Sequence, residues 1–512
     1  MKSRIRVVLD GESLTPEQVA AVAAREARVE LKARLVSRLK QSRKVIDRVV
    51  QSGATVYGVN TGFGHLASVR IDDTQLSQLQ VNLIRSHAAG VGHPASLETV
   101  RALLLLRANV LARGHSGVRL AVVEQLLSML SHDLLPVVPE QGSVGASGDL
   151  APLAHVALAA IGEGEVFLRG KRLDAHTALT RCRIAPLVLA PKEGLALVNG
   201  TQFAGAIATL ALLRAERLTR SADVVCALTI EALKGSSRAF DPRIHDARPH
   251  PGQRDSAANL RRLLAGSGIL ESHANCGKVQ DAYSLRCAPQ VHGATRDALA
   301  QLRRVLQIEL NSSTDNPMVF AADDETVSGG NFHGAPLAAT LDYATLAVGT
   351  LAAISERRTD RLVNPLVSGL PAFLARDPGL ESGLMMAQVT AAALVSECKT
   401  LAHPGSVDTI PTSANQEDHV SMAPWCARKL VQVLANAERV VAVELLAALR
   451  GIEFHRPLRS SSALERTLTL ARRKLALPRG EFVPAGAIEE LAALLRSGGV
   501  LEVIADAGVI LR

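Results

Sequence analysis

Apolar residues recur at helical spacing along most of this chain. Thr15-Pro16-Glu17-Gln18 has the form of a helix start. Thr15 can cap, Pro16 suits the first helical position, and Gln18 completes a capping box. Leu31, Leu35 and Leu39, then Ile46, Val49 and Val50, keep a 3.6-residue period that Gly53 ends. A Gly-rich loop is expected from Ala54 to Gly64, with helical pattern returning over 74–87 and 97–130. The stretch 136–150 reads as a structured loop. Asp149 is expected to cap a helix over 150–161, with Pro152 in its first turn and Gly162 at its end. Residues 165–190 are mixed and fit a small hairpin. Long helical periodicity covers 202–233, a Pro/Gly-rich loop 240–253, and further helices 288–310, 335–355, 383–399, 422–449 and 463–475. There is no internal repeat, low-complexity tract or flexible linker. The pattern predicts a mainly α protein with unusual loops between long helices. We divide it into 1–200, loop-rich, and 201–512, a helical bundle with C-terminal helices.

Composition narrows this. The chain has 512 residues, and 47% hydrophobic against 21% charged residues exclude disorder over most of it. Length alone would allow about three domains. Aromatics are only 3%, so the core is aliphatic, and the dominance of Ala, Leu and Val favours helix. The net charge is +8 and the pI 9.4. Such a balance can serve nucleic acid, a membrane surface or acidic substrates. Here positive and negative residues interleave, and Arg25 to Arg48 reads as a solvated helix face, so no nucleic-acid partner is expected. Six cysteines without a CxxC pair fit free thiols in a reducing cytoplasm. Met1 to Leu14 lacks the apolar core of a signal peptide. The longest apolar run, Phe203 to Leu213, ends at Arg214 and is too short for a bilayer. A soluble, cytoplasmic protein without a membrane partner is expected.

The chemically informative segment is Gly142-Ser143-Val144-Gly145-Ala146-Ser147-Gly148-Asp149. In a sharply bent loop the Gly148 nitrogen can attack the Ala146 carbonyl carbon. Cyclisation and loss of two waters would turn Ser147 into a dehydroalanine within a five-membered ring. Small residues let the backbone fold onto itself. The product is an electrophile that no standard side chain supplies. Taken alone, the tripeptide reads first as a helix-capping turn or an anion-binding loop.

The wider sequence settles which reading to carry. GSVGASGDLAPLAH resembles the signature of the aromatic amino acid ammonia-lyase family, as do TVYGVNTGFG from Thr55, SHAAGVG from Ser86 and NGTQ from Asn199. FDPRIHDARPHPGQ from Phe240, KVQDAYSLRCAPQ from Lys278, STDNP from Ser313, SGGNFH from Ser328 and TSANQEDHVSM from Thr412 follow in the family's order. The match covers residues 50 to 460, and within the family the sequence is similar to members acting on histidine. The resemblance implies an elongated central helical bundle, and a 4-methylidene-imidazol-5-one ring (MIO) matured from Ala146-Ser147-Gly148. It also implies a homotetramer whose active sites are shared between subunits, with Tyr57 supplied by a different chain than Ser147.

The same resemblance implies roles. Tyr57 would take the β-proton, and its phenol, ordinarily near pKa 10, must be tuned downward for this. His87 would hydrogen-bond the substrate imidazole; tyrosine-using relatives carry His-Leu at this pair of positions and phenylalanine-using ones Phe-Leu, against Ser86-His87 here. Glu417 would face the same imidazole, and an apolar ring would leave that carboxylate unpaired. Arg286 would fork onto the substrate carboxylate. Asn199 would contact MIO, Phe332 would pack near it, and Gln280 and Tyr283 would line the pocket, Tyr283 among the catalytic groups. Without the resemblance each has a plainer reading: packing for Tyr57 and Phe332, a salt bridge for Arg286 and Glu417, backbone satisfaction for the amides. His245, Asp246 and His250 match no strong zinc pattern. Neither a metal nor pyridoxal phosphate is expected. Alternatives are a tyrosine or phenylalanine lyase, an aminomutase, or a non-catalytic basic scaffold. Cys398, Ala335 and His65 depart from the family's usual residues.

Overall fold

The computed structural model describes residues 5–62, 64–66, 68–274, 277, 279–475 and 480–512, without the His65 side chain. Helices dominate, and the expected mainly α class is met. The strands among the described residues are short and form small two- and three-stranded sheets. The chain divides into two units: Met1–Leu210, Leu302–Asp342 and Pro404–Arg428 form one; Ala211–Gln301, Tyr343–His403 and Lys429–Arg512 form the other.

The predicted cap at Thr15 is present, with its capping box and Pro16 at the first position. The helix it starts is shorter than the periodicity suggested and ends at Ala23. Ala27–Leu31 is instead a strand, paired in parallel with Ile5–Leu9. Its apolar and polar residues alternate, a period of two that the longer helical repeat masked. A new helix, Ala33–Ser52, then runs to Gly53, which takes the left-handed conformation. The expected 97–130 helix is also two, Leu97–Ala112 and Leu120–Ser131. The loop stretch 136–150 contains the strand Pro139–Gln141, and the 165–190 hairpin is present as Glu165–Leu168 with Lys171–Asp174. The Pro/Gly-rich 240–253 stretch is partly helical, because Pro242 and Pro251 occupy first-turn positions. There His245 is structural: its ring bonds the Ala239 carbonyl and the Gln253 amide.

In the first unit, residues Thr99 to Ala112 of the central helix are all buried. It packs against Pro16–Ala23 and Leu120–Ser131. Three more helices, Leu76–His87, Leu150–Ala160 and Glu193–Val198, pack on one another. That packing brings together His87, Asp149 and Asn199, which end, precede and follow them respectively.

The second unit has an ionic core. Asp223 accepts from Ser256, Asn259, His292 and Arg296, and these contacts hold its carboxyl well below the usual range despite burial. Glu444 is held by Arg358, Ser355 and Thr229, all buried. Breaking one partner of such a set leaves an uncompensated charge. The Ala335–Val363 helix is long and apolar enough to cross a bilayer by length and composition, and 56% of its most apolar window is packed inside the protein. Asp342 interrupts its apolar residues, but the run that follows, Tyr343 to Ile354, is longer than Phe203 to Leu213, which corrects the choice of longest apolar run.

Candidate active site

The Gly142–Asp149 loop is clamped from two sides. On one, the Met422 amide donates to Val144 O at 2.8 Å and Ser421 Oγ donates to Gly145 O at 3.0 Å. On the other, Gly148 pairs with Gly200, and the Asp149 amide donates to Gly200 O at 2.6 Å. Gly148 has φ +74, and a Cβ there would lie 2.2 Å from Gly200 O. Only glycine fits a left-handed backbone pressed on another backbone. Ser143 Oγ donates to Gly148 O, closing the loop on itself. A small-residue loop held bent, with Ser147 opening into a cavity, fits a ring made from Ala146, Ser147 and Gly148.

Asp149 does not cap the helix it precedes. Its Oδ2 accepts from the Ala204 amide at 2.9 Å, so it caps the neighbouring Gln202–Ala232 helix. Its Oδ1 is buried without a partner. Burial outweighs the Ala204 and Phe203 amides and pushes the carboxyl up to about 7.

The cavity beside Ser147 has a volume of about 560 Å³. Six expected site residues besides Ser147 line it: Tyr57, His87, Ala146, Asn199, Phe332 and Glu417. Tyr57 and Ser147 therefore meet within one chain, which corrects the expectation that they come from different chains. Gln280, Tyr283 and Arg286 do not line this cavity. They belong to the second unit, where Tyr283 is 71% exposed and the Arg286 guanidinium lies 4.6 Å from its ring centroid. Arg286 Nε is buried there without a partner, and Gln280 and Arg286 line a separate cavity with Lys234, Arg238 and His273.

The electrostatics of the first cavity are specific. Ser147 Oγ donates to Glu417 Oε1 at 3.2 Å, and Thr412 Oγ1 donates to Glu417 Oε2 at 2.6 Å. His87 Nδ1 lies 2.9 Å from Leu83 O. Ser86 Oγ lies 3.0 Å from the same nitrogen; because a carbonyl only accepts, the Leu83 contact is a hydrogen bond in the tautomer with the proton on Nδ1, which leaves Nε2 its lone pair. Burial lowers the His87 pKa, against the Leu83 carbonyl and Glu417, which favours this neutral form. Tyr57 Oη accepts from the Gly64 amide at 3.4 Å. Burial pushes the phenol above its ordinary value, Gly64 opposes, and Glu417 adds to the rise. The downward tuning expected for Tyr57 is thus reversed, because the phenol sits in a part-apolar pocket beside a carboxylate.

Sequence reasoning missed the layer beneath Asn199. Lys192 Nζ bonds Asp315 Oδ2 at 2.9 Å, both fully buried, and Asp315 Oδ1 accepts from Asn199 Nδ2 at 3.2 Å. Arg107, also fully buried, bonds Gln202 and the Ala196 carbonyl. Asn199 Oδ1 is left buried and unpartnered. The one signal was charge inside a motif, Asp315 in STDNP; Lys192, the left-handed residue before Glu193–Val198, lies outside every motif. His333 and His419, with rings stacked 5.7 Å apart, also line the cavity and were quoted in motifs without a role. Cys398 and Ala335 do not line it, and burial pushes the Cys398 thiol up to about 11. No cluster of three or more His, Cys, Asp or Glu suited to a metal occurs among the described residues.

The loop carrying Glu417 is strained. Ser413, Ala414 and Asn415 have φ of 50, 52 and 65°, three successive non-glycine residues in the left-handed region. Each costs on the order of 1–2 kcal/mol, and Asn alone tolerates it well.

Comparison with known proteins agrees with this geometry. The model of the family "Aromatic amino acid lyase" matches residues 14–473. The chain is similar to histidine ammonia-lyase of Myxococcus xanthus, 52% identical over 505 residues and covering 99% of both chains. It superposes on the histidine ammonia-lyase of Trypanosoma cruzi with a TM-score of 0.91 at 45% identity, covering 98% of this chain and 95% of that one. It is also similar to tyrosine aminomutase of Streptomyces globisporus, with a TM-score of 0.94 at 39% identity, covering 99% and 100%. With nine-tenths of its length matched by the family model, this chain belongs to the aromatic amino acid lyases.

Proposed function

We propose that the protein eliminates ammonia from L-histidine to give trans-urocanate. The observation that carries this reading is the pairing of Glu417 and a neutral His87 on one cavity with Ser147. A carboxylate and an imidazole lone pair are both acceptors. Either can take the N–H of a substrate imidazole, and a phenyl ring would leave both unanswered. The high identity to histidine ammonia-lyases supports the same substrate.

The chemical difficulty is a poor leaving group next to a weakly acidic β-proton. MIO, formed from Ala146-Ser147-Gly148, would supply the electrophile that activates the α-amino group. The chain's own side chains do the remainder. Tyr57 takes the β-proton as phenolate, and the Gly64 amide steadies charge on its oxygen. Asn199 Oδ1, lacking a partner in the fold, is free to accept a hydrogen bond from the reacting groups. Phe332 supplies apolar wall.

Arg286 is the group for the substrate carboxylate, with Gln280 and Tyr283 beside it. These three are absent from the first cavity's lining, and a homotetramer with shared sites would bring them from another subunit. A cytoplasmic location fits the free thiols. The likeness to a tyrosine aminomutase favours one second reading, an aminomutase of the same family. Product analysis separates them: a lyase releases ammonia and an acrylate, an aminomutase yields a β-amino acid. Ser147→Ala must lose both the ring and the activity; full activity in that variant overturns the reading.

A further inference from the structure

We propose that Thr412 is a positioning residue that sets selectivity for the imidazole ring by fixing the Glu417 carboxylate; this rests on the histidine reading above. Glu417 has two oxygens. Thr412 Oγ1–H occupies Oε2 at 2.6 Å, so Oε1 is the oxygen offered to the cavity; it accepts from Ser147 Oγ at 3.2 Å before ring formation and is released when that hydroxyl leaves as water. A carboxylate tied at one oxygen is fixed in plane and direction, and it presents one acceptor rather than two.

The backbone enforces this contact. Thr412 and Glu417 pair as an antiparallel bridge, with the Thr412 amide donating to Glu417 O at 3.0 Å and the Glu417 amide donating to Thr412 O at 3.3 Å. The residues between them make the left-handed turn Ser413–Asn415. Strain of this kind persists only where the surroundings over-determine the chain, and it concentrates where a side chain must be held. The surroundings here include the Tyr57 loop: a Cβ on Gly64 would lie 2.5 Å from Ser413 Oγ. The same Gly64 amide bonds Tyr57 Oη. One turn therefore braces the expected base and the expected ring-reading carboxylate together.

The test compares wild type, Thr412→Val and Thr412→Ser. Valine is close to isosteric and suits the extended backbone of Thr412, φ −129 and ψ 177. Ring maturation is read by intact mass, kcat/KM with L-histidine, and competitive inhibition by trans-urocanate and trans-cinnamate. Removing a hydrogen bond to a charged group should lower kcat/KM in Thr412→Val by roughly ten- to a hundredfold. Urocanate should weaken in parallel, cinnamate should stay within about twofold, and Thr412→Ser should recover most of the loss, with the two-water mass loss retained throughout. Unchanged kcat/KM in Thr412→Val overturns the proposal alone. So do equal weakening of both inhibitors and failure of serine to rescue, which are the marks of a structural role. Wild-type protein that carries the ring mass but does not turn over L-histidine overturns the histidine reading and this proposal with it.

Discussion

Ser147 Oγ donates a hydrogen bond to Glu417 Oε1 across 3.2 Å, joining residues 270 positions apart in the chain. The residue expected to become the electrophile and the residue expected to read the substrate ring are thus direct neighbours. A substrate whose amino group reaches the first places its ring within reach of the second. Chemistry and selectivity share one wall of the cavity, and the positions follow from how the 142–149 and 412–422 segments clamp each other through Val144, Gly145, Ser421 and Met422.

Gly148→Ala tests the clamp. The left-handed φ and the 2.2 Å approach to Gly200 O both oppose a side chain. The variant should lose about 3 kcal/mol of stability in denaturant unfolding, and intact mass should show no loss of water. A stable variant with a matured ring would mean that the backbone at Gly148 is not what holds the loop bent.

Asp149 should give stability a definite pH dependence. Its folded pKa, about 7, lies above the ordinary carboxyl value. Between pH 4 and 7 the folded protein then binds more protons at this site than the unfolded chain does. Stability from this group is present at low pH and lost as pH rises toward 7, by on the order of 1.4 kcal/mol per unit. The amide introduced by Asp149→Asn cannot titrate, so the unfolding free energy of that variant should lack the slope. Parallel curves for the two proteins from pH 4 to 7 would contradict the assignment.

The rate should follow two groups. As the proposed base, Tyr57 would have to be deprotonated to act, and its environment raises its pKa. The value of kcat/KM should therefore climb with pH from neutrality into the alkaline range, with no plateau near 7. His87, as the proposed acceptor for the substrate ring, would have to be neutral, and its pKa is lowered, so the acid limb it causes should lie below about 6.5. A profile that is flat from pH 7 to 9 would remove Tyr57 from the role of base.

Mixed oligomers distinguish which residues share a chain. Tyr57 and Ser147 line one cavity of one chain, so Tyr57→Phe mixed with Ser147→Ala should recover no activity after subunit exchange. Ser147→Ala mixed with Arg286→Ala should recover a fraction, because a site can then draw Ser147 from one subunit and Arg286 from another. Rescue in the first pair, or none in the second after confirmed exchange, would contradict shared sites built this way.

Long helices were legible from periodicity alone, and 202–233 and 288–310 differ from the structure by single residues. Breaks within periodic stretches were not: the strand Ala27–Leu31 hides in a helical repeat until its partner Ile5–Leu9 is known. The C-terminal helices Pro484–Ser497 and Gly499–Asp506 went unassigned, although Pro484 and Gly498 mark their starts. Most of the cavity was legible through motifs, because each side chain sits in a short distinctive segment. The direction of the Asp149 carboxylate, the Lys192–Asp315 pair and the Thr412 contact were not. They depend on segments far apart in the chain, and no local pattern records which buried charge faces which. The same holds for Tyr57: a Gly-rich loop announces a tight turn, but its burial beside Glu417 is a tertiary fact.

The most direct test is near-ultraviolet absorbance of purified protein offered L-histidine, L-tyrosine and L-phenylalanine separately, alongside intact mass of the protein and of its Ser147→Ala variant. Urocanate is expected from L-histidine alone, with a mass two waters below the sequence value, and neither signal in the variant. Cinnamate or coumarate formation, or urocanate formation by Ser147→Ala, would contradict this expectation.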